Sequence, residues 1–195
     1  MTLIVSQIQV DVENDLKMGK IYCPFCHVSL SPHGHARTRF VRSNGASIEI
    51  CPRRSRCPNC KKTQVLLPEI LLIRRVDTVE VIGYALLEKA KGSSTKLIAS
   101  SHNIPFTTIR GWIRRFARKT DEIIQLFNSF ALSLDASLNV IATSESKFKD
   151  AIEAIGRALN AWRLRMGDLR DWQIVSRISK GALLFNTNSP FKLPP

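Results

Sequence analysis

Apolar residues recur at two different periods along this 195-residue chain, and the change of period marks its parts. Arg37-Thr-Arg-Phe-Val-Arg42 and Ala46-Ser-Ile-Glu-Ile50 alternate around Ser43-Asn44-Gly45. Alternation at every second residue is the strand pattern, and an Asn-Gly pair supplies the positive φ angles of a tight hairpin turn. From about Val79 the period lengthens to that of a helix. Val79, Ile82, Leu86 and Leu87 share one face and stop before Gly92, as a helix with a glycine end would.

Ser93 and Ser94 can cap a second helix through Lys96–Ser100, whose Ala99 is small where a neighbouring helix must cross closely. His102-Asn103 supplies a turn, because Asn103 tolerates a left-handed backbone. Ile104 plugs the core, and Pro105 is expected at the first position of a third helix, where its missing donor costs nothing. In that helix Ile109, Trp112, Ile113 and Phe116 form a core stripe at i, i+3, i+4 and i+7. Thr107, Arg110, Gly111, Arg114 and Arg118 lie away from the stripe, so the opposite face is polar and basic.

Further along, Ile123, Phe127, Phe130 and Leu134, then Phe148, Ile152, Ile155, Leu159 and Trp162, repeat at helical spacing and predict at least two more amphipathic helices. Asp168 is placed to cap another, containing Leu169 and Trp172. The tail from Gly181 through Pro190 reads as a docking strand or a loose end. No run approaches the roughly 20 apolar residues of a membrane span, and Met1–Val10 lacks the basic start and cleavage site of an export signal. A soluble, intracellular protein, located in the cytoplasm, is the expectation.

Charge divides the chain along the same boundaries. The formal net charge is +13, and residues 20–75 hold 11 bases against 2 acids, residues 76–120 hold 8 against 3, and residues 121–195 hold 9 against 8. A charge needed only for solubility would be spread over the surface; this excess is confined to Lys20–Lys119, which points to a polyanion partner there.

Four of the five cysteines fall in two pairs, Cys23-Pro-Phe-Cys26 and Cys57-Pro-Asn-Cys60. Each pair sets two thiols on a tight turn, and two such turns complete a tetrahedral metal site. Together with the hairpin between them, this predicts a zinc ribbon. Zinc is preferred as a structural ion, although the same ligands can hold iron or a cluster. A closed site of four cysteines leaves no position for catalysis. Cys51 is expected to be a small buried hydrophobe, the other reading being an extra thiol near the metal. His27, His33 and His35 are expected in the loop or at phosphates rather than as ligands.

The fold class that emerges is mainly α with a small β zinc ribbon at the N-terminus, a helix-turn-helix, and a C-terminal helical bundle. Its parts are an N-terminal extension over residues 1–19, the ribbon over 20–75, the helix-turn-helix over 76–120 and the helical region over 121–195. The third helix suits the major groove of double-stranded DNA. Thr107, Thr108, Arg110 and Gly111 near its start can reach base edges, while Arg114, Arg115, Arg118 and Lys119 near its end reach phosphates. Arg37, Arg39, Arg53, Arg54 and Arg56 of the ribbon are further phosphate candidates. The apolar stripes of the last region suit an internal bundle or a homodimer interface.

Phosphate-loop, nucleophile-elbow and H-E-x-x-H patterns are absent from the sequence, and no strand-rich core with clustered carboxylates follows the helices, so no catalytic residue is expected. An RNA-binding zinc-ribbon protein and a protein-interaction scaffold are the alternatives, though the low aromatic content of 7% argues against single-strand stacking.

Cys23-Pro-Phe-Cys26, His33-Gly-His-Ala-Arg37, Arg53-Arg-Ser-Arg-Cys57-Pro-Asn-Cys60, Thr63 with Leu66-Leu67-Pro68, and Thr108-Ile-Arg110-Gly-Trp112 together carry a resemblance. The chain resembles a family of bacterial proteins of unassigned function, associated with mobile elements, that pair a four-cysteine ribbon with a helix-turn-helix. It is also similar to the amino-terminal targeting regions of some insertion-sequence transposases. Pro105 departs from this pattern, standing where many such proteins place a serine cap. The resemblance implies DNA binding tied to transposition or to transcription regulation of a mobile element, with a transposase or another mobile-element protein as a partner.

Overall fold

A computed structural model describes residues 2–5, 9–138, 146–167 and 169–185. Six strands accompany the helices among these residues, so the molecule is mixed α and β rather than mainly α. Strand β1 (Thr2–Val5) and helix α1 (Gln9–Lys17) come first, then β2 (Ser31–His35), β3 (Arg39–Ser43), β4 (Ala46–Ile50), β5 (Arg53–Arg56) and β6 (Thr63–Pro68). Helices α2 (Val79–Ala90), α3 (Thr95–Ser101), α4 (Phe106–Ala117), α5 (Thr120–Leu134), α6 (Lys147–Met166) and α7 (Asp171–Ile178) follow.

The main sheet has the order β1-β6-β5-β2. β5 and β6 run antiparallel with Arg53 opposite Leu66 and Ser55 opposite Gln64, while β1 joins β6 in parallel with Thr2 opposite Val65. The stretch expected to be an N-terminal extension thus supplies an edge strand and a helix. Residues directly opposite each other in a sheet project to the same face. One face therefore carries Leu3, Val5 and Leu66 toward Val12 and Leu16 of α1. The other carries Ile4 and Leu67 toward Val41, Leu71, Ile73, Ala182 and Phe185.

Between β2 and β5 the chain makes a separate two-stranded sheet, β3 against β4, with Ser43 opposite Ala46. Asn44 at φ 46° and Gly45 at φ 82° form the turn, as the alternating sequence predicts. The hairpin is tied to the start of α2 by a two-pronged ion pair from Arg42 to the buried Asp77, at 2.8 and 3.0 Å.

Helices α2, α3 and α4 pack on one another around Ile82, Leu86, Ile98, Ile109, Trp112 and Phe116. Ser94 accepts a hydrogen bond from the Leu97 amide at 3.2 Å and so starts α3. Asn103, at φ 50°, ends it. Pro105 occupies the cap of α4, one residue earlier than expected, with Phe106 as the first helical residue.

α5 and α6 run in the same direction: Lys147 pairs with Asp121 near their starts, and Trp162 stacks on Phe130 near their ends, at 5.9 Å between ring centroids. Their apolar faces continue the core of α2–α4 rather than forming a bundle of their own. α7 then crosses α2 at Gly83, where a Cβ would lie 1.9 Å from the Trp172 ring; only glycine permits that approach. Asp168, expected to cap this helix, lies outside the described residues; Arg170 is at the cap position.

Beyond α7, Gly181–Phe185 is neither strand nor loose end. It is a buried turn packed on the segment before α2, with Ile73 donating its amide to the Gly181 carbonyl at 2.9 Å and Arg75 donating to the Leu184 carbonyl at 2.6 Å. An ion pair between Arg177 and the buried Glu69 closes the same seam. The tail from residue 186 lies outside the described residues.

Candidate metal centre and basic helix face

The two cysteine turns are built alike. In the first, the Cys23 amide donates to the Val28 carbonyl at 2.9 Å and the His27 amide to the Cys23 carbonyl at 3.0 Å; in the second, Cys57 donates to Lys62 at 3.0 Å and Lys61 to Cys57 at 3.1 Å. His27 and Lys61, each just after the second cysteine of its pair, take the left-handed conformation at φ 56° and 60°. The local chain path brings both sulfurs of a pair round toward one point.

Across the pairs, Cys23 Sγ is 3.6 Å from Cys60 Sγ and Cys26 Sγ is 3.4 Å from Cys57 Sγ, and all four ligand atoms lie within 4.8 Å of one another. Four sulfurs at about 2.3 Å from a tetrahedral ion would stand about 3.8 Å apart, so these side chains fit a metal ion. Cys23 and Cys57 are fully buried against Val12, Leu16, Leu30 and Leu66, and the Lys62 ammonium sits 3.6 Å over the Phe25 ring, joining one turn to the other.

Burial raises the Cys23 thiol pKa, but the amides of Phe25 and Cys26 outweigh it and leave the group below its ordinary value. Cys57 shows the same balance, with the amides of Cys60 and Asn59 and the Cys26 side chain overcoming burial. At Cys60 the Lys62 amide acts to lower the pKa; burial and the three neighbouring thiols override it and push the group up to about 11. A bound cation would take all four sulfurs as thiolates, with release of their protons.

His27, His33 and His35 are exposed and outside this cluster. Cys51 is also exposed, its thiol 3.7 Å from the Ala36 carbonyl, which corrects the expectation of a buried residue. It follows directly on Ile50, the last residue of β4.

On α4, Ile109, Trp112 and Phe116 are buried and Ile113 is partly so, while Thr107, Arg110, Arg114 and Arg118 are exposed. Thr108 and Gly111 are half-buried at the margin. Arg115 folds back over Gly111, where an added Cβ would be 2.8 Å from its Nη1. It also faces Arg75, whose guanidinium pKa is lowered by burial and by Arg115.

Lys119 departs further from expectation. Only Arg118 and Lys119 separate α4 from α5, and at this junction Lys119 is turned inward at 6% exposure, paired with Glu122 at 3.5 Å. It is not placed to reach a phosphate.

The five arginines expected to act together around the ribbon are divided by the structure. Arg53 is held by an ion pair to Glu13 of α1 and donates to the Gly34 carbonyl at 3.0 Å. Arg56 donates to the Lys61 carbonyl at 3.2 Å and braces the second cysteine turn. Arg37 is exposed, whereas Arg39 and Arg54 are half-buried. Missed from sequence was α1: its Val12 and Leu16, four apart, are the one signal that it covers the cysteines.

Residues 23–112 match the profile of a domain of unknown function, DUF6431, and the chain carries that domain. The match starts at the first cysteine of the metal cluster and ends at Trp112 in the core of α4, so it spans both features. No curated protein and no solved structure matches the chain.

Proposed function

We propose that the protein is a zinc-containing, sequence-specific DNA-binding protein in which α2–α4 act as a helix-turn-helix and the four-cysteine module is a structural zinc ribbon. The observation that carries this reading is the division of α4. Its apolar stripe is consumed by the core, leaving Thr107, Arg110, Arg114 and Arg118 on a free face behind a tight turn at Asn103.

Such a helix can enter a major groove. Thr107 and Arg110, in its first half, reach base edges, Arg110 able to bind guanine through two hydrogen bonds; Arg114 and Arg118 meet phosphates. The excess of bases over acids in residues 20–120 supplies the long-range attraction. Zinc suits four thiolates at the observed separations, and in a closed site its contribution is structural, fixing β5, β6 and α1 into a platform. The setting is regulation of, or assistance to, a mobile element, as the sequence resemblance suggests.

Selection of zinc-loaded protein on random duplex DNA, with sequencing of the retained fraction, tests the reading. An enriched motif that disappears when Arg110 and Arg114 are both changed to Ala supports it, and paired half-sites in that motif would indicate a homodimer. Equal retention of all sequences by both proteins contradicts it.

A further inference from the structure

A cavity of about 620 Å³, open to solvent, lies where the hairpin-facing side of the main sheet meets the segment joining β2 to β3. Arg37, Arg39 and Arg74 line it, and no carboxylate among the described residues does. Its remaining wall is largely apolar, from Pro52, Val65, Leu67 and Ile73. Arg54 stands opposite Val65 in the β5–β6 register and so shares this sheet face.

The arginines elsewhere in this half of the molecule are matched: Arg42 with Asp77, Arg53 with Glu13, Arg56 with a carbonyl. At the cavity Arg37, Arg39 and Arg74 have no carboxylate partner among the described residues, Arg74 lying instead over the Phe185 ring at 5.4 Å from its centroid. The Nε atoms of Arg39 and Arg54 are buried without a hydrogen-bond partner. Burial alone lowers the Arg39 pKa, with no acid nearby to raise it again. Like charges gathered on a concave, partly apolar wall with unused donors are costly unless an anion takes up those donors.

From this we infer that the cavity binds the phosphate group of a phosphorylated ligand, held by Arg37, Arg39 and Arg74, with the organic part of the ligand along Pro52, Val65, Leu67 and Ile73. Guanidinium groups match phosphate oxygens in paired hydrogen bonds, and several of them suit a multiply charged phosphate better than a single carboxylate. The site is separate from the exposed face of α4 and stands whether or not that face reads DNA. Its phosphate comes either from a small phosphorylated molecule or from a nucleic-acid backbone.

The test follows the arginine Nε–H signals of the full, metal-loaded protein by NMR during titration with pyrophosphate and with adenosine monophosphate at fixed ionic strength. Saturable shifts of the Arg39 signal are expected, with a Kd below about 1 mM. Arg39→Gln and, as a variant at an exposed position, Arg37→Gln should each weaken binding by about tenfold. Changing Arg110 and Arg114 to Ala should leave it unaltered, which separates this site from the proposed DNA-reading face. Non-saturating shifts matched by added chloride, or binding unchanged in both Gln variants, would overturn the inference. With the site confirmed, displacement of adenosine monophosphate by duplex DNA identifies a backbone phosphate as the ligand, and joint binding identifies a small molecule.

Discussion

Gly83 and Trp172 show how much of this fold hangs on single atoms. A glycine inside a helix loses backbone entropy relative to alanine, a cost of about 1 kcal/mol, which the close crossing of the indole offsets. Gly83→Ala should therefore destabilise the protein by about 1–3 kcal/mol despite the better helix propensity, because the ring cannot swing away as a flexible chain end could. Thermal unfolding would detect it, and adding Trp172→Leu should recover part of the loss. Glu80 offers a pH-dependent counterpart. Burial raises its carboxyl pKa; Arg170 opposes the shift and Asp171 adds to it. The folded state thus holds this proton more tightly than the unfolded state does. Glu80 favours folding below the unfolded value of about 4.3, and that contribution is lost as pH rises through the raised folded value. Glu80→Gln should accordingly raise Tm at pH 7 and lose most of that gain near pH 4; an equal gain at both pH values would show that charge is not the cause.

Elements whose signals are local were legible in the sequence, and those made by distant pairing were not. The Asn44-Gly45 turn, the cap at Ser94, the left-handed Asn103 and the bounds of α2 all follow from neighbouring residues. By contrast β5 is Arg-Arg-Ser-Arg, with no apolar alternation, and it is a strand because β6 and β2 flank it. β1 finds β6 some sixty residues away in parallel, a pairing that three apolar residues cannot announce. Lys119 read as a helix-end cation until the immediate start of α5 turned it inward. The cysteine turns were plain from spacing, but the role of α1 as their cover was not. That role makes metal removal a test at this scale. Chelation should cost hydrogen-exchange protection in α1 and β6, whose apolar contacts converge on Cys23 and Cys57, and in β5, which runs directly into Cys57, while α4–α6 retain theirs. Elemental analysis should find one zinc per chain; uniform loss of protection would show that the two cores are not separable.

Taken whole, the molecule is not a string of modules. One apolar core runs through α2–α7, a second lies under the hairpin and Gly181–Phe185, and a third surrounds the cysteines. Gly181–Phe185 seals the second against the segment leading into α2, so the turn after α7 ties the hairpin side of the sheet to the start of the helices. Nothing in the balanced charge of residues 121–195 signalled that, because a short apolar tail has no period to read. No helix among the described residues is long and apolar enough to cross a membrane. In the function proposed above, the exposed Arg110, Arg114 and Arg118 of α4 meet duplex DNA. The most direct measurement is duplex affinity as a function of salt for the native chain and for the variant with Arg110 and Arg114 both changed to Ala. Each phosphate contact contributes about 0.9 to the slope of log K against log salt concentration. If Arg114 meets a phosphate and Arg110 a base edge, the variant should bind more weakly at every salt concentration, lose sequence preference, and show a slope shallower by about 1. An unchanged affinity and slope would contradict the account, removing α4 from the interface.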